Sequence, residues 1–298
     1  MKCFYLFVLM LLTATGVHAQ QLPMSSFYDM YGVLHNPATA GANQHGVIGA
    51  NFSKLWSDMP GAPQTGLLYA NAYLKGPKLG LGGYIYNDKT GPLTYNGLQT
   101  SYAYHIPMKD NATFSLGLEA RVLQWSYDKS KLIDALGADP VIQSDESRIK
   151  FDAGFGAAYT SKKIQVGISA SQLIQSKLDL YEGTGNPTEE AMLARHYYLH
   201  GHYNWDVDKN TRIIPALLVI YLPNAPTEIQ GGARVVHNNL FWYGLTLRKD
   251  QAWLISAGLR LKDRFNVGYS FDIYNKPLGV YDKGSNGHEI MLRYDFIK

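Results

Sequence analysis

The chain has almost no cysteine. Cys3 is the only one in 298 residues, and it lies in a segment that we predict to be removed. The remainder contains no thiol, which excludes disulfide bonds, cysteine nucleophiles and thiolate metal sites from the mature protein.

Charged residues are also few. Asp, Glu, Lys and Arg make up 17% of the chain, against roughly 25% in ordinary soluble domains. The formal net charge is only +3. A nearly neutral chain gives no broad basic surface for nucleic acid, so we expect no nucleic-acid partner.

Long hydrophobic runs are missing as well. No apolar stretch after the N-terminus approaches the ~18 residues that a membrane-spanning helix requires, and helical periodicity is almost absent. If the mature chain crosses a membrane, it must do so with strands.

The N-terminus has the features of a secretory signal. Lys2 supplies a positive charge, residues 3–12 are apolar, and Val17-His18-Ala19 is an acceptable cleavage site. Because Cys3 precedes the apolar run, a lipoprotein anchor is not expected. We predict that residues 1–19 are a cleaved signal peptide.

Tyrosine, glycine and strict alternation are abundant. The chain has 22 Tyr and 29 Gly. In the last segment, Ile290, Leu292, Tyr294 and Phe296 alternate with polar residues, which is typical of a strand with one apolar face. About 14 segments follow this pattern, near the ~9–11 residues that a tilted membrane strand needs. They lie at 44–55, 64–75, 78–87, 93–107, 111–125, 149–160, 163–172, 194–207, 210–222, 225–237, 239–248, 251–262, 264–275 and 287–298.

The lengths of the connections alternate too. When the connections are numbered from the first segment onward, every long one has an odd number. The long connections are Trp56–Pro63, Ser126–Arg148, Leu173–Leu193 and Lys276–Asn286. Every even connection is short. Outer-membrane barrels have short periplasmic turns and longer outer loops. The sequence therefore predicts an all-β transmembrane antiparallel β-barrel of about 14 strands over residues 44–298.

Residues 20–43 precede the first predicted strand. This segment is long for a simple turn, and it contains Phe27, Tyr28, Met30 and Tyr31. Because these aromatic side chains need burial, we expect a plug or a periplasmic docking segment rather than a loose tail.

Candidate chemical sites are weak. His196, His200 and His202 share strand parity and should all face the lumen, but they are too far apart along a strand for one metal site, so a polar lining is favoured. His288-Glu289 lacks the second histidine of a zinc protease motif. There is no nucleophile elbow. We predict no catalytic residues, no cofactor and no metal.

Two glycine clusters allow two interpretations. Gly80-Leu-Gly82-Gly83 and Gly154-Phe-Gly156 could be read as nucleotide loops, but no helix follows them. Lumenal glycines that make room for a plug or a partner segment are favoured.

The loops 126–148 and 173–193 exceed the ~12–15 residues of idle connections. The acidic residues Asp134, Asp139, Asp145 and Glu146 lack the spacing of a calcium loop. We expect the long loops to bind a surface partner protein.

Several short stretches point to one family. They read NPATAG at 36–41, PGAPQT at 60–65, RHYY at 195–198, GYSFD at 268–272 and GHEI at 287–290. In this order and spacing, the chain resembles the PorP/SprF family of outer-membrane proteins of the type IX secretion system. The motif residues are Asn36, Pro37, Ala38, Gly41, Arg195, His196, Tyr197, Gly268, Tyr269, His288 and Glu289.

The resemblance implies a non-catalytic barrel, in contact with outer-membrane lipid of a Gram-negative bacterium. It further implies that the barrel binds and anchors a secreted surface protein or adhesin with a type IX sorting domain, as in gliding motility. The other implied partner is a periplasmic protein that tethers the machinery to peptidoglycan. The alternative is a general porin or solute-uptake channel, since about 14 strands can enclose a lumen wide enough for small solutes.

Overall fold

The computed structural model describes residues 24–128, 130, 146–176, 193–223, 225–275 and 286–296. The strands are Gly46–Lys54 (β1), Gln64–Leu74 (β2), Leu79–Thr90 (β3), Leu93–Pro107 (β4), Thr113–Tyr127 (β5), Glu146–Thr160 (β6), Ile164–Ser171 (β7), His196–Tyr203 (β8), Trp205–Asp206 (β9), Thr211–Tyr221 (β10), Glu228–His237 (β11), Phe241–Arg248 (β12), Ala252–Leu261 (β13), Phe265–Tyr274 (β14) and Gly287–Phe296 (β15).

The sheet closes on itself. β1 pairs antiparallel with β15, from Gly46 opposite Phe296 to Lys54 opposite His288, and β10 pairs with β11. Closure gives the backbone groups of the edge strands partners, as a lipid environment demands. The predicted all-β antiparallel barrel is confirmed.

The short strand β9 continues β8. Both pair with β10 in one register, and the ladder is interrupted opposite Ile214 and Pro215. Proline has no N–H to donate, so a gap at this point has a direct cause. Counting β8 and β9 as one strand, the barrel has the predicted 14 strands.

Alternation places apolar side chains outside and polar ones inside. On β15, Ile290 and Leu292 are 49% and 43% exposed, whereas Glu289 and Asp295 are 3% and 2% exposed. The prediction that the apolar face of the last strand points away from the lumen is confirmed, because successive side chains of a strand point to opposite faces.

The two ends of the barrel differ. The longest connections, 55–63, 128–145, 172–195 and 275–286, lie at one end, called here the long-loop end. Six short turns lie at the other, the short-turn end, and the predicted parity is confirmed.

Strand β5 continues to Tyr127 and β6 begins at Glu146, so the connection predicted over 126–148 is shorter. Residues 1–23 and most of the three longest loops, with the predicted signal peptide and Asp134, Asp139 and Asp145, lie outside the described residues.

Three 3₁₀ helices of three residues each can be described, at Gly32–Leu34, Pro37–Thr39 and Lys109–Asn111. In the described part of the chain, no helix has the length and apolar character needed to cross a membrane.

Candidate functional site

Residues 24–45 run through the lumen and are called the plug here. The plug starts near the long-loop end, where Glu289 accepts hydrogen bonds from Ser25 Oγ at 2.5 Å and from the backbone N–H of Ser26 at 2.7 Å. It finishes at the short-turn end, where His45 Nε2 lies 3.1 Å from Asp295. The segment therefore crosses the barrel and then continues directly into β1.

The first half of the plug carries aromatic side chains that are buried against the barrel wall. Phe27 packs edge-on against Trp242, with 5.9 Å between ring centroids, and Tyr31 against Tyr69 at 4.7 Å. Phe27 and Tyr31 are almost completely buried. Burying such side chains contributes about 1.5–3 kcal/mol each as an upper range, which explains why this segment docks.

Charged groups fix the plug to the strands of the last third of the chain. Asp29 accepts two hydrogen bonds from Arg234 on β11, at 2.8 and 3.0 Å. The same guanidinium lies 5.7 Å from the Trp242 ring centroid. Arg293 on β15 donates to the carbonyl oxygen of Met30 at 3.1 Å. Charge-assisted bonds of this kind are roughly twice as strong as neutral ones.

Asn36 connects the second half of the plug to three strands. Its Nδ2 lies 3.0 Å from the carbonyl oxygen of Ala157, 3.1 Å from that of Ile168 and 3.0 Å from Nε2 of His200. Its Oδ1 accepts from the N–H of Ala38 at 2.9 Å and caps the helix Pro37–Thr39. One buried side chain thus shapes the plug and attaches it to the wall.

Glycines let the plug backbone approach the wall. A Cβ on Gly80 would collide with the carbonyl group of Ala40, and one on Gly117 with the backbone of Pro37 and Ala38. Gly41 has φ +69°, a conformation that glycine adopts without steric cost.

The structure confirms this role for part of the predicted glycine clusters. Gly80 and Gly82 face the plug, and so does Gly156, whose Cβ would strike Asn36. Gly83 is different, because it belongs to the alternate residues of β3 that point away from the lumen. Gly154 faces the side chain of Glu119.

A buried polar cluster on β4 and β5 supports the plug at Val33. Gln99 Nε2 donates to the Val33 carbonyl oxygen at 3.3 Å, and Gln99 Oε1 accepts from Arg121 Nε at 3.2 Å. Arg121 is in turn 3.1 Å from Glu119. A buried charge needs such partners, because desolvation without them costs several kcal/mol.

Histidines line one side of the lumen, as predicted. His196 and His200 on β8 are buried, and His202 shares their parity. His35 of the plug is buried near them, with its ring 5.7 Å from that of Tyr198. Burial lowers the pKa of His35 to about 3, with a smaller contribution from His200. Among the described residues, no three His, Asp or Glu side chains come together in a way that could hold a metal ion.

The motif residues fall into three groups. Asn36, Pro37, Ala38 and Gly41 are in the plug. His196, Gly268 and Glu289 face inward, and Glu289 also accepts from Asn51. The others face outward: Tyr269 contacts His288 at 2.6 Å, and Tyr197 and Arg195 are exposed.

Three residues that hold the plug were not predicted from the sequence. Ser25, Asp29 and Arg234 hold the plug, yet no motif marks them. A lone Asp29 within the aromatic run 27–31 was the available signal, because a buried carboxylate requires a basic partner on the opposing wall.

Comparison with family models identifies one match. The family described as type IX secretion system membrane protein PorP/SprF matches residues 17–294. The chain belongs to the PorP/SprF family. The family match and the barrel together place this PorP/SprF protein in the outer membrane, so the short-turn end faces the periplasm.

Comparison with curated proteins gives no match. Among solved structures, the CymD monoaromatic hydrocarbon channel has a TM-score of 0.54 at 12% identity, over 90% of this chain and 93% of that one. Omp33 of Acinetobacter baumannii has a TM-score of 0.50 at 9% identity, over 85% and 98%. A FadL homologue of Pseudomonas aeruginosa has a TM-score of 0.50 at 8% identity, over 88% and 93%. At these identities the likeness shows the fold alone.

Proposed function

We propose that this PorP/SprF protein is a non-catalytic anchor that binds a secreted surface protein at its long-loop end and a periplasmic component at its short-turn end. The observation that carries the proposal is the plug. A segment of the chain itself crosses the lumen and is bonded to strands from β4 to β15. A filled barrel suits attachment better than the passage of solutes.

The two ends suit two partners. The connections 128–145, 172–195 and 275–286 are long and share one end, and loops of this length are more often functional than idle. Family membership supports a surface protein with a type IX sorting domain as the ligand of that end. The short turns are available to a periplasmic protein that is attached to peptidoglycan.

The test is a mild-detergent pull-down of the tagged protein from native outer membranes, with mass spectrometry of the eluate. We expect a large protein with a type IX sorting domain to be recovered. Replacing residues 178–190 by a short Gly-Ser linker should reduce this recovery. The matched control replaces the short turn 238–240 by Asn-Gly-Asn, which leaves the long loops intact. Recovery of the barrel alone after crosslinking would contradict the proposal.

A further inference from the structure

The short-turn end carries a dense positive charge. The six turns at this end contain seven lysines and one arginine, but only three aspartates. The basic residues, all exposed, are Lys75, Lys78, Lys109, Lys162, Lys163, Lys209, Lys262 and Arg264; the acidic ones are Asp110, Asp208 and Asp263. Five net positive charges on these turns exceed the +3 of the entire chain. The remainder of the chain is therefore net negative.

A cavity opens inside this ring of turns. Its volume is about 290 Å³, near the lower bound of small-ligand sites. The plug forms its roof with Asp29, Met30, Asn43 and His45. Four arginines line its walls: Arg212, Arg234, Arg260 and Arg293. Ring and cavity together are called the basic mouth.

Two of the four arginines have carboxylate partners in pairs that are largely buried. Arg234 binds Asp29 and Arg293 binds Asp295, both at 2.8 Å or less. Nearer the opening, Arg212 pairs with Asp206 in a contact that is exposed on both sides. An exposed pair of this kind contributes little to stability, so a competing anion can replace Asp206 beside Arg212.

Arg260 differs from the other three. It donates to Asn239 Oδ1 at 3.0 Å and to the carbonyl oxygen of Asp263 at 3.1 Å, both neutral acceptors. Among the described residues, no carboxylate lies within 4 Å of its guanidinium. The cavity wall thus offers an incoming carboxylate a guanidinium that is bonded only to neutral acceptors.

We propose that the basic mouth binds an acidic polypeptide segment of a periplasmic protein, with one carboxylate seated against Arg260 and Arg212. The exposed lysines attract the segment within the Debye length of about 8–10 Å, and the cavity then selects a side chain that can enter it. Phospholipid headgroups are a poorer fit, because they reach the outer flank of the turns but not a cavity enclosed by the barrel and roofed by the plug.

This inference rests on that part of the proposed function which places a periplasmic partner at the short turns. It is independent of the surface protein at the opposite end. The test therefore uses neither the long loops nor a surface protein, so that the two proposals can fail separately.

The experiment measures fluorescence anisotropy of labelled hexaglutamate added to the full chain in zwitterionic nanodiscs, with labelled hexaglutamine as reference. The cavity variant is Arg212→Gln/Arg260→Gln. The ring variant is Lys75→Gln/Lys78→Gln/Lys162→Gln/Lys163→Gln. The control removes the same number of charges near the long-loop end, with Lys54→Gln, Lys89→Gln, Lys150→Gln and Lys249→Gln.

We expect hexaglutamate, but not hexaglutamine, to bind, and binding to weaken with added salt. Loss of charge-assisted bonds should weaken binding by the cavity variant about tenfold or more. The ring variant should also bind more weakly, and the control should remain within about twofold of wild type. The single variant Arg260→Lys, which keeps the charge, should bind hexaglutamate more tightly than the cavity variant does.

Two results would overturn the proposal. In the first, the control loses as much affinity as the ring variant. In the second, the ring variant loses affinity while the cavity variant binds like wild type, as expected of a surface for lipid headgroups. Unchanged heat-modified migration of each variant on gels checks that the barrel is folded.

Discussion

Nδ2 of Asn36 lies 3.0 Å from Nε2 of His200, although 164 residues separate them in the chain. The same amide nitrogen is within hydrogen-bond distance of two backbone carbonyl oxygens, of Ala157 and Ile168. This contact fixes the centre of the plug to β6, β7 and β8.

Replacing Asn36 should therefore loosen the plug. Asn36→Ala removes the amide contacts to the wall and leaves the N–H of Ala38 without its acceptor, at about 1–3 kcal/mol for an unsatisfied group. We expect a lower melting temperature in detergent and faster proteolysis within residues 24–45. Asn210→Ala, at an exposed turn of the short-turn end, is the control and should behave like wild type. Equal stability of both variants would show that the Asn36 contacts add nothing.

A side chain at Gly80 should displace the plug near Ala40. Gly80→Val has no space on the lumenal side, because even its Cβ would collide with the Ala40 carbonyl group, and overpacking of this kind typically costs about 1–3 kcal/mol. Gly66→Val is the matched control, since nothing lies within 4 Å of a Cβ there. A cysteine introduced as Ala40→Cys should be labelled faster in the Gly80→Val background, but not in the Gly66→Val background. Equal labelling rates in both backgrounds would contradict the close approach.

Removal of the plug should open the barrel to ions. We expect the full chain to show no steady conductance in planar bilayers, whereas deletion of residues 24–43 should give a stable open channel, since 14 strands enclose a lumen between the side-chain-filled and water-filled classes. Asn36→Ala should give intermediate, flickering openings. A steady channel in the wild-type protein would favour the general porin or uptake channel instead.

Acid should weaken plug docking through His35. Its pKa in the folded protein, lowered to about 3 by burial and by His200, is below the ordinary value of about 6.5. The displaced state therefore binds a proton that the docked state excludes. The stability is fully present above about pH 6.5 and is lost progressively down to about pH 3, by up to about 1.4 kcal/mol per pH unit.

The measurement is the melting temperature of wild type and His35→Asn between pH 7.5 and pH 5. Wild type should lose more stability over this range than the variant. The control, His237→Asn, changes a half-exposed histidine on β11 and should keep the wild-type slope. Parallel curves for wild type and His35→Asn would show that His35 does not sense pH.

The sequence alone determined the barrel. Period-two alternation depends only on which residues follow one another, because successive side chains of a strand point to opposite faces. The parity of loop lengths along the chain likewise predicted which ends of the strands lie together. The predicted strand 93–107 agrees with β4 at both ends, and the inward Glu289 and outward Ile290 follow from parity alone.

Only the tertiary structure decided where residues 24–45 lie and what they contact. This segment has no repeating pattern, and its bonds join residues that are far apart in sequence, such as Asp29 and Arg234 or Ser25 and Glu289. Aromatic content predicted that the segment needs burial, but not whether the lumen or a periplasmic surface would supply it. The cavity around Arg260 was equally hidden, because it exists only once the barrel has closed and the plug has become its roof.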